Sequence, residues 1–227
     1  MFKSKKKLNN QRLLVADLNS KSPVFESYRT LRTNIQFASV DQDIKKIVIT
    51  SPKPGEGKST TVANLAIAFA QQGKKVLLID ADLRKPTVAN TFSLPNTSGL
   101  TNVLSRQSKI EQVIQQTAVE NLHILTSGPI PPNPSELLGS NSMKELVAKA
   151  ENEFDIILFD SPPVLAVTDA QVLTNLSDGT ILVVRSGSTD QDAAKKAKDL
   201  LQVGKSRLLG VVLNGKNQKQ EQYYYYY

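Results

Sequence analysis

Three short stretches of this 227-residue chain bring together residue types that can act on phosphate. The first is Pro54-Gly55-Glu56-Gly57-Lys58-Ser59-Thr60. Gly55 and Gly57 allow open backbone dihedrals, so that successive N–H groups can converge on phosphate oxygens. Lys58 supplies a cation able to reach a β- or γ-phosphate, and Ser59 a hydroxyl suited to Mg²⁺. The helical pattern that starts at Thr60 would turn its positive end toward the same anion. The usual loop of this kind reads G-x-x-x-x-G-K-[ST], and Pro52 stands at its first glycine position, so the loop is a variant.

The second stretch is Val76-Leu77-Leu78-Ile79-Asp80-Ala81-Asp82-Leu83-Arg84-Lys85-Pro86. Carboxylates two residues apart at the end of an apolar run can share one metal-phosphate site. Phosphoryl transfer needs a metal to neutralise developing charge and a group that orients or deprotonates the nucleophile. Asp80 and Asp82 can divide those tasks. Arg84 can pair with a phosphate or brace the two aspartates. The third stretch, Ile156-Ile157-Leu158-Phe159-Asp160-Ser161-Pro162-Pro163, again ends an apolar run in an acid, the second metal-holding element of phosphate-loop NTPases.

At the C-terminus, Tyr223, Tyr224, Tyr225, Tyr226 and Tyr227 follow a polar segment and have no core to fill. With the loop, they suggest a phosphoryl group passing from ATP to tyrosine. A tyrosine hydroxyl has a reference pKa of about 10, so a nearby carboxylate that takes its proton helps at neutral pH. From Asn214 to Tyr225 the extended tail spans at most ~35–40 Å, enough to reach a neighbouring subunit.

The elements that must hold these residues can be read from periodicity. Apolar runs occur at 47–50, 76–79, 122–125, 156–159, 181–184 and 208–213, most of them continuous rather than alternating, as in strands buried on both faces of a parallel sheet. Helical patterns at 60–72, 144–153 and 190–203 lie between them. Alternation of this kind predicts a doubly wound, mostly parallel α/β fold with its site beyond the carboxyl ends of the strands. The chain divides into a flexible basic arm (1–22), a domain (23–213) that opens with a helix near 24–38, and a flexible tyrosine-rich tail (214–227).

Composition narrows the chemistry. There is no cysteine, which excludes disulfides and thiolate catalysis, and the one histidine, His123, sits in a strand-like run. No apolar stretch approaches the roughly 20 residues that cross a bilayer, and Met1 to Lys7 lacks the apolar core of a signal peptide, so a cytoplasmic location is expected. The net charge of +7 gathers partly at the ends. It fits an anionic membrane, an acidic partner or simple solvation; no aromatic residue interleaves the front lysines, and nucleic acid is not expected.

The succession P-G-E-G-K-S-T, L-L-I-D-A-D-L-R-K-P, I-L-F-D-S-P-P and a terminal tyrosine cluster resembles the bacterial tyrosine kinases, from about Pro23 onward. That resemblance implies a phosphate-loop fold of the deviant kind shared with partition and cell-division-positioning ATPases. It implies that Lys58 and Ser59 hold ATP and Mg²⁺, that Asp80 and Asp82 serve catalysis and metal binding, and that Asp160 completes the metal site. It further implies autophosphorylation of the tyrosine cluster between neighbouring subunits. Glu26, Arg29 and Arg32 fall within a roughly 120° arc of a helix. They read as a solvated stripe, or, by resemblance to the family's E-x-x-R-x-x-R segment, as the seam of a ring of eight subunits. Asn214 sits where related ATPases read the adenine edge, a cap being the plainer reading. Lys53 falls where a subset of those ATPases keeps a lysine that crosses a dimer interface; a solvated loop lysine is the alternative. The family implies a transmembrane activator that recruits the kinase to the inner membrane face, a cognate tyrosine phosphatase, and protein substrates in capsular or extracellular polysaccharide synthesis. Pro131-Pro132-Asn133-Pro134-Ser135-Glu136-Leu137-Leu138 also looks familial, with no physical role beyond a rigid entry into a helix. The competing reading is a partition-type ATPase that hydrolyses ATP at a dimer interface.

Overall fold

A computed structural model of the protein describes residues 14, 22–38 and 43–216. Tyr223 to Tyr227 and nearly all of the basic arm lie outside the described residues. The order of elements is α1 (Pro23–Ala38), β1 (Lys46–Thr50), α2 (Lys58–Ala70), β2 (Val76–Asp80), α3 (Val88–Thr91), α4 (Leu100–Leu104), α5 (Ile110–Val113), β3 (Gln115–Gln116) and β4 (Leu122–Leu125). Then come α6 (Pro134–Leu138), α7 (Asn141–Glu151), β5 (Ile156–Asp160), α8 (Asp169–Thr174), β6 (Gly179–Arg185), α9 (Gln191–Gln202) and β7 (Arg207–Asn214).

The strands form one sheet in the order β3-β4-β2-β5-β1-β6-β7. Every pairing is parallel except that of β3 with β4. The fold is therefore the mostly parallel, doubly wound α/β sheet that the alternating pattern predicts. Strand β3, two glutamines long, carries no apolar signal, and it pairs antiparallel with β4 while the Gln115 side chain donates to Pro95 and Thr126.

Alternation of side chains divides most strand residues between two large cores, with a smaller third cluster where Leu182 of β6 meets Ala197 and Leu201 of α9. Ile47, Ile49, Leu78, Ile124 and Leu158 face α2, while Val48, Leu77, Ile79, Ile157 and Phe159 face α4, α7 and α8. Each such fully buried apolar side chain contributes about 1.5–3 kcal/mol. Helix α2 is buried along nearly its whole length. One side packs on the sheet and the other is covered by α1, through Phe25, Tyr28 and Ile35. Burial raises the Tyr28 pKa, only partly offset by its hydrogen bonds with Asn64 and Thr61 of α2.

The run 208–213 reads from sequence like the others, but β7 pairs only with β6 and leaves Val211 and Leu213 exposed. Composition cannot tell an edge strand from a central one. Sheet order has the opposite effect on the acids. Asp80 and Asp160 end adjacent strands and are direct register partners, which puts them side by side at the carboxyl edge.

Candidate active site

Between β1 and α2 the backbone turns through Gly55 at φ +83° and Gly57 at φ +94°, conformations that glycine alone adopts without strain. The turn delivers the N-terminus of α2, with Lys58 as its first residue, to the rim of a cleft of about 560 Å³. Pro54, Gly55, Gly57, Lys58, Ser59 and Thr60 line one wall. Asp82, Arg84, Lys85 and Thr87 line the side after β2, and Pro162, Pro163, Ala166 and Val167 follow β5. Arg185 and Asn214, at the ends of β6 and β7, complete the opposite side.

At the floor the charges converge. The Lys58 ammonium donates to Asp82 Oδ2 at 2.9 Å, to Asp160 Oδ1 at 3.4 Å and to Ser59 Oγ at 3.2 Å. Burial alone would lower the Lys58 pKa, but the carboxylates of Asp160 and Asp82 outweigh it and hold it above the ordinary lysine value. Asp82 Oδ1 also accepts from the Lys85 amide at 3.0 Å, which fixes the loop after β2. Asp80 is buried just beneath. Its Oδ2 accepts from the amides of Thr87 and Val88 at 3.0 and 2.9 Å, while Oδ1 is buried without a hydrogen-bond partner. Desolvation, with the charge of Asp160 alongside, pushes the Asp80 pKa up to about 8 despite those two amide bonds.

This donor set suits a Mg²⁺ nucleotide. Among the described residues no group of three or more His, Cys, Asp or Glu forms an all-protein metal cage. Mg²⁺ does not need one, since it keeps waters and takes one or two carboxylates together with substrate phosphates. A serine hydroxyl, the Asp82 and Asp160 carboxylates and the unpartnered Asp80 oxygen are groups of the kind that could complete such a set.

Several of the residues singled out in the sequence have more specific surroundings than their motifs suggest. Arg84 does not brace Asp80 and Asp82; it forks onto Asp169, 85 positions away, and reaches Ser135. Sequence reading missed Asp169, whose neighbours in the chain carry no motif. Glu56 belongs to the loop by its backbone, but its side chain accepts from the Thr189 hydroxyl at 2.8 Å and does not line the cleft. The Asn214 amide donates to the Glu56 carbonyl at 2.9 Å. Arg185 Nη1 donates to the Gly55 carbonyl at 3.2 Å. The ends of β6 and β7 thus clasp the loop from the side opposite the acids. Lys53 is exposed.

In α1, the Arg29–Glu26 pair (3.2 Å) is exposed, and Arg29 stacks over Phe25 with 4.6 Å to the ring centroid. Arg32 is no solvated stripe residue: it donates to the Ala68 carbonyl at 2.8 Å, in the last turn of α2, where a cation also meets the negative end of the helix. His123 lies in β4 against Phe154, with 5.3 Å between ring centroids, remote from the cleft lining. No helix among the described residues is long and apolar enough to cross a membrane.

The clasp makes one residue intolerant of change. A Cβ on Gly57 would lie 1.9 Å from Asn214 Nδ2, at a backbone φ that already disfavours any L side chain. Gly57→Ala is expected to raise the Kd for an ATP analogue about 5- to 150-fold, since the loop must give up either its shape or the Asn214 contact, a cost of about 1–3 kcal/mol. Isothermal titration checks this, and unchanged affinity would separate the clasp from nucleotide binding.

Residues 44–202 match the AAA domain family. Tyrosine-protein kinase YwqD of Bacillus subtilis is 57% identical over 217 residues, which cover 96% of this chain and 92% of that one. Putative tyrosine-protein kinase CapB of Staphylococcus aureus is 42% identical over 99% of this chain and 98% of its own length. The kinase domain of the Escherichia coli tyrosine kinase ETK superposes with a TM-score of 0.87 at 31% identity, covering 99% of this chain and 89% of that domain. The cell-division ATPase MinD of Pyrococcus furiosus shares the architecture at a TM-score of 0.62, over 74% of this chain and 71% of its own. The same fold thus serves both kinds of protein, and likeness over nearly the full length distinguishes between them: this chain belongs to the tyrosine-protein kinases built on the AAA-domain fold.

Proposed function

We propose that the cleft binds Mg²⁺-ATP and transfers its γ-phosphoryl group to tyrosine hydroxyls, with the C-terminal cluster Tyr223 to Tyr227 of a neighbouring copy as an acceptor. The observation that carries this reading is the convergence of Lys58, Asp82 and Asp160 on one point beside buried Asp80, at the mouth of a glycine loop. Bound Mg²⁺ would supply charge neutralisation on the phosphates. The residues of the chain do the rest. The loop amides and Lys58 bind and orient the phosphates, and Ser59, Asp82 and Asp160 are the ligands offered to the metal. Asp80, buried just beneath with one unpartnered oxygen and a pKa of about 8, would take the proton of an incoming phenol in its ionised form, which bound Mg²⁺ would favour.

The base side of the nucleotide falls toward Arg185 and Asn214, because the acids of β2 and β5 mark the side where transfer takes place and β6 and β7 lie across the loop from them. Phosphorylation between subunits requires an oligomer. Glu26 and Arg29, exposed on α1, are available to a partner, and Arg32 stiffens that surface by tying α1 to α2. A ring of eight subunits, recruitment to the cytoplasmic face of the membrane by a transmembrane activator, reversal by a phosphatase and a setting in capsular or extracellular polysaccharide synthesis complete the proposal. These last four rest on the family resemblance.

The experiment is incubation of the full chain with Mg²⁺-ATP, with and without a cytoplasmic segment of a candidate activator, followed by mass spectrometry of the C-terminal peptide. Phosphate on Tyr223 to Tyr227 is the expected result. Mixing an ATP-site-deficient copy with a tail-deficient copy should still yield phosphotyrosine if transfer runs between subunits. ATP hydrolysis without phosphotyrosine in any mixture would refute the reading.

A further inference from the structure

Arg84 reaches the cleft from a mounting that no sequence motif marks. Its Nε donates to Asp169 Oδ2 at 2.9 Å and its Nη2 to Asp169 Oδ1 at 3.1 Å, the two-pronged geometry that a guanidinium offers a carboxylate. Nη2 also donates to Ser135 Oγ at 3.2 Å, and the Ser135 hydroxyl donates in turn to Asp169 Oδ1. The Asp169 side chain is 0% exposed and that of Arg84 40%. A carboxylate buried to that degree costs several kcal/mol unless its oxygens are paired, and the fork together with the serine supplies the pairing.

The Nε–Nη2 edge of the guanidinium is therefore committed to protein. The same side chain lines the cleft together with Asp82 and Lys58, and Nη1 is the nitrogen that takes no part in the fork. Three segments distant in sequence build this mounting: the loop after β2, helix α6 and the first residue of α8. The Pro131-Pro132-Asn133-Pro134 run gives α6 a rigid start, with Pro134 in its first turn, and so fixes where Ser135 stands.

On the kinase reading above, we propose that Asp169 and Ser135 are positioning residues that aim Arg84 at the phosphoryl group in transfer. Arg84 then acts within its own chain as the guanidinium that meets charge developing on the equatorial oxygens. It remains protonated throughout, so its contribution is electrostatic. A donor held in place before the reaction needs no reorganisation when the charge appears. A lysine cannot substitute, because it lacks the second prong that Asp169 grips.

The test measures phosphotyrosine formation by the full chain with Mg²⁺-ATP for Arg84→Lys, Asp169→Asn, Ser135→Ala and their pairwise combinations. Arg84→Lys and Asp169→Asn should each lower kcat about 10- to 100-fold, as misplaced catalytic groups do, with KM for ATP nearly constant. Because both act through one guanidinium, the double variant should be no slower than the worse single one. Ser135→Ala should fall in the same direction by a smaller factor and also fail to add to Arg84→Lys. Multiplying losses, losses confined to KM, or unchanged kcat in both Asp169→Asn and Ser135→Ala would overturn the assignment. Should Asp169→Asn not fold, the Ser135→Ala and Arg84→Lys pair forms the same cycle and decides it. A wild-type chain that forms no phosphotyrosine overturns the kinase reading and this proposal with it; an active wild type with indifferent variants overturns this proposal alone.

Discussion

Lys58→Met is expected to lower kcat for tyrosine phosphorylation by at least about 10²–10³-fold, the loss that follows removal of one preorganised donor to a developing oxyanion. The argument is geometric. Lys58 is the first residue of α2, its ammonium stands 2.9 Å from Asp82 and 3.4 Å from Asp160, and its stem is buried. Arg84, which lines the same cleft, is anchored on Asp169 rather than on these two acids, and Arg185 lies on the opposite side against Gly55. The same substitution strips Asp82 and Asp160 of their counter-charge, and breaking a buried pair from one side costs about 3–5 kcal/mol when the partners stay ionised. The lysine pKa is raised, so its stabilising contribution is fully present below the ordinary lysine value and is lost only as pH rises through the higher, folded one. Between about pH 5 and 8 the lysine stays charged and adds no pH dependence of its own to the melting gap. Phosphotyrosine quantified by mass spectrometry, with thermal melts of the same samples, separates the two effects. A well-folded Lys58→Met chain with more than a tenth of wild-type kcat would remove this lysine from the reaction.

Asp80→Asn should split activity from stability. Phosphorylation should fall about 10²–10⁴-fold, the range for loss of a positioned general base. The fold should gain stability under alkaline conditions. A carboxyl group whose pKa is about 8 when folded and ordinary when unfolded favours the folded chain while it is protonated. That advantage erodes as pH rises from the ordinary aspartate value toward about 8, above which the folded protein carries a buried charge beside Asp160. An asparagine carries no such charge. Its carbonyl can still accept from the Thr87 and Val88 amides, as Asp80 Oδ2 does now. Without added metal, the Asp80→Asn protein should therefore melt higher than wild type at pH 8 to 9, with the gap narrowing as pH falls and closing only near the ordinary aspartate value of about 4. A lower melting temperature for the variant at pH 8 would show that burial beside Asp160 does not govern this carboxyl.

What the sequence by itself determines is local. Glycines two apart before Lys58 define a left-handed turn that feeds a helix N-terminus, because the allowed φ of each residue is its own property. Continuous apolar runs define strands covered on both faces, because side-chain period and burial are written along the chain. Even the meeting of Asp80 with Asp160 is half-legible, since each ends such a run and strands of a parallel sheet end on the same side. Partners across the fold are another matter. Asp169 as the anchor of Arg84, Thr189 as the partner of Glu56, Asn214 against Gly57 and Ala68 as the acceptor for Arg32 each join segments 36 to 158 residues apart, or bring Asn214 into the space a Gly57 side chain would need. None has a period or spacing, because a loop side chain finds its partner through the packing of the strands and helices that carry it. Strand β7 makes the same point from the other side: its run is as apolar as a central strand's, and only the sheet order, ending at β7, leaves Val211 and Leu213 in solvent.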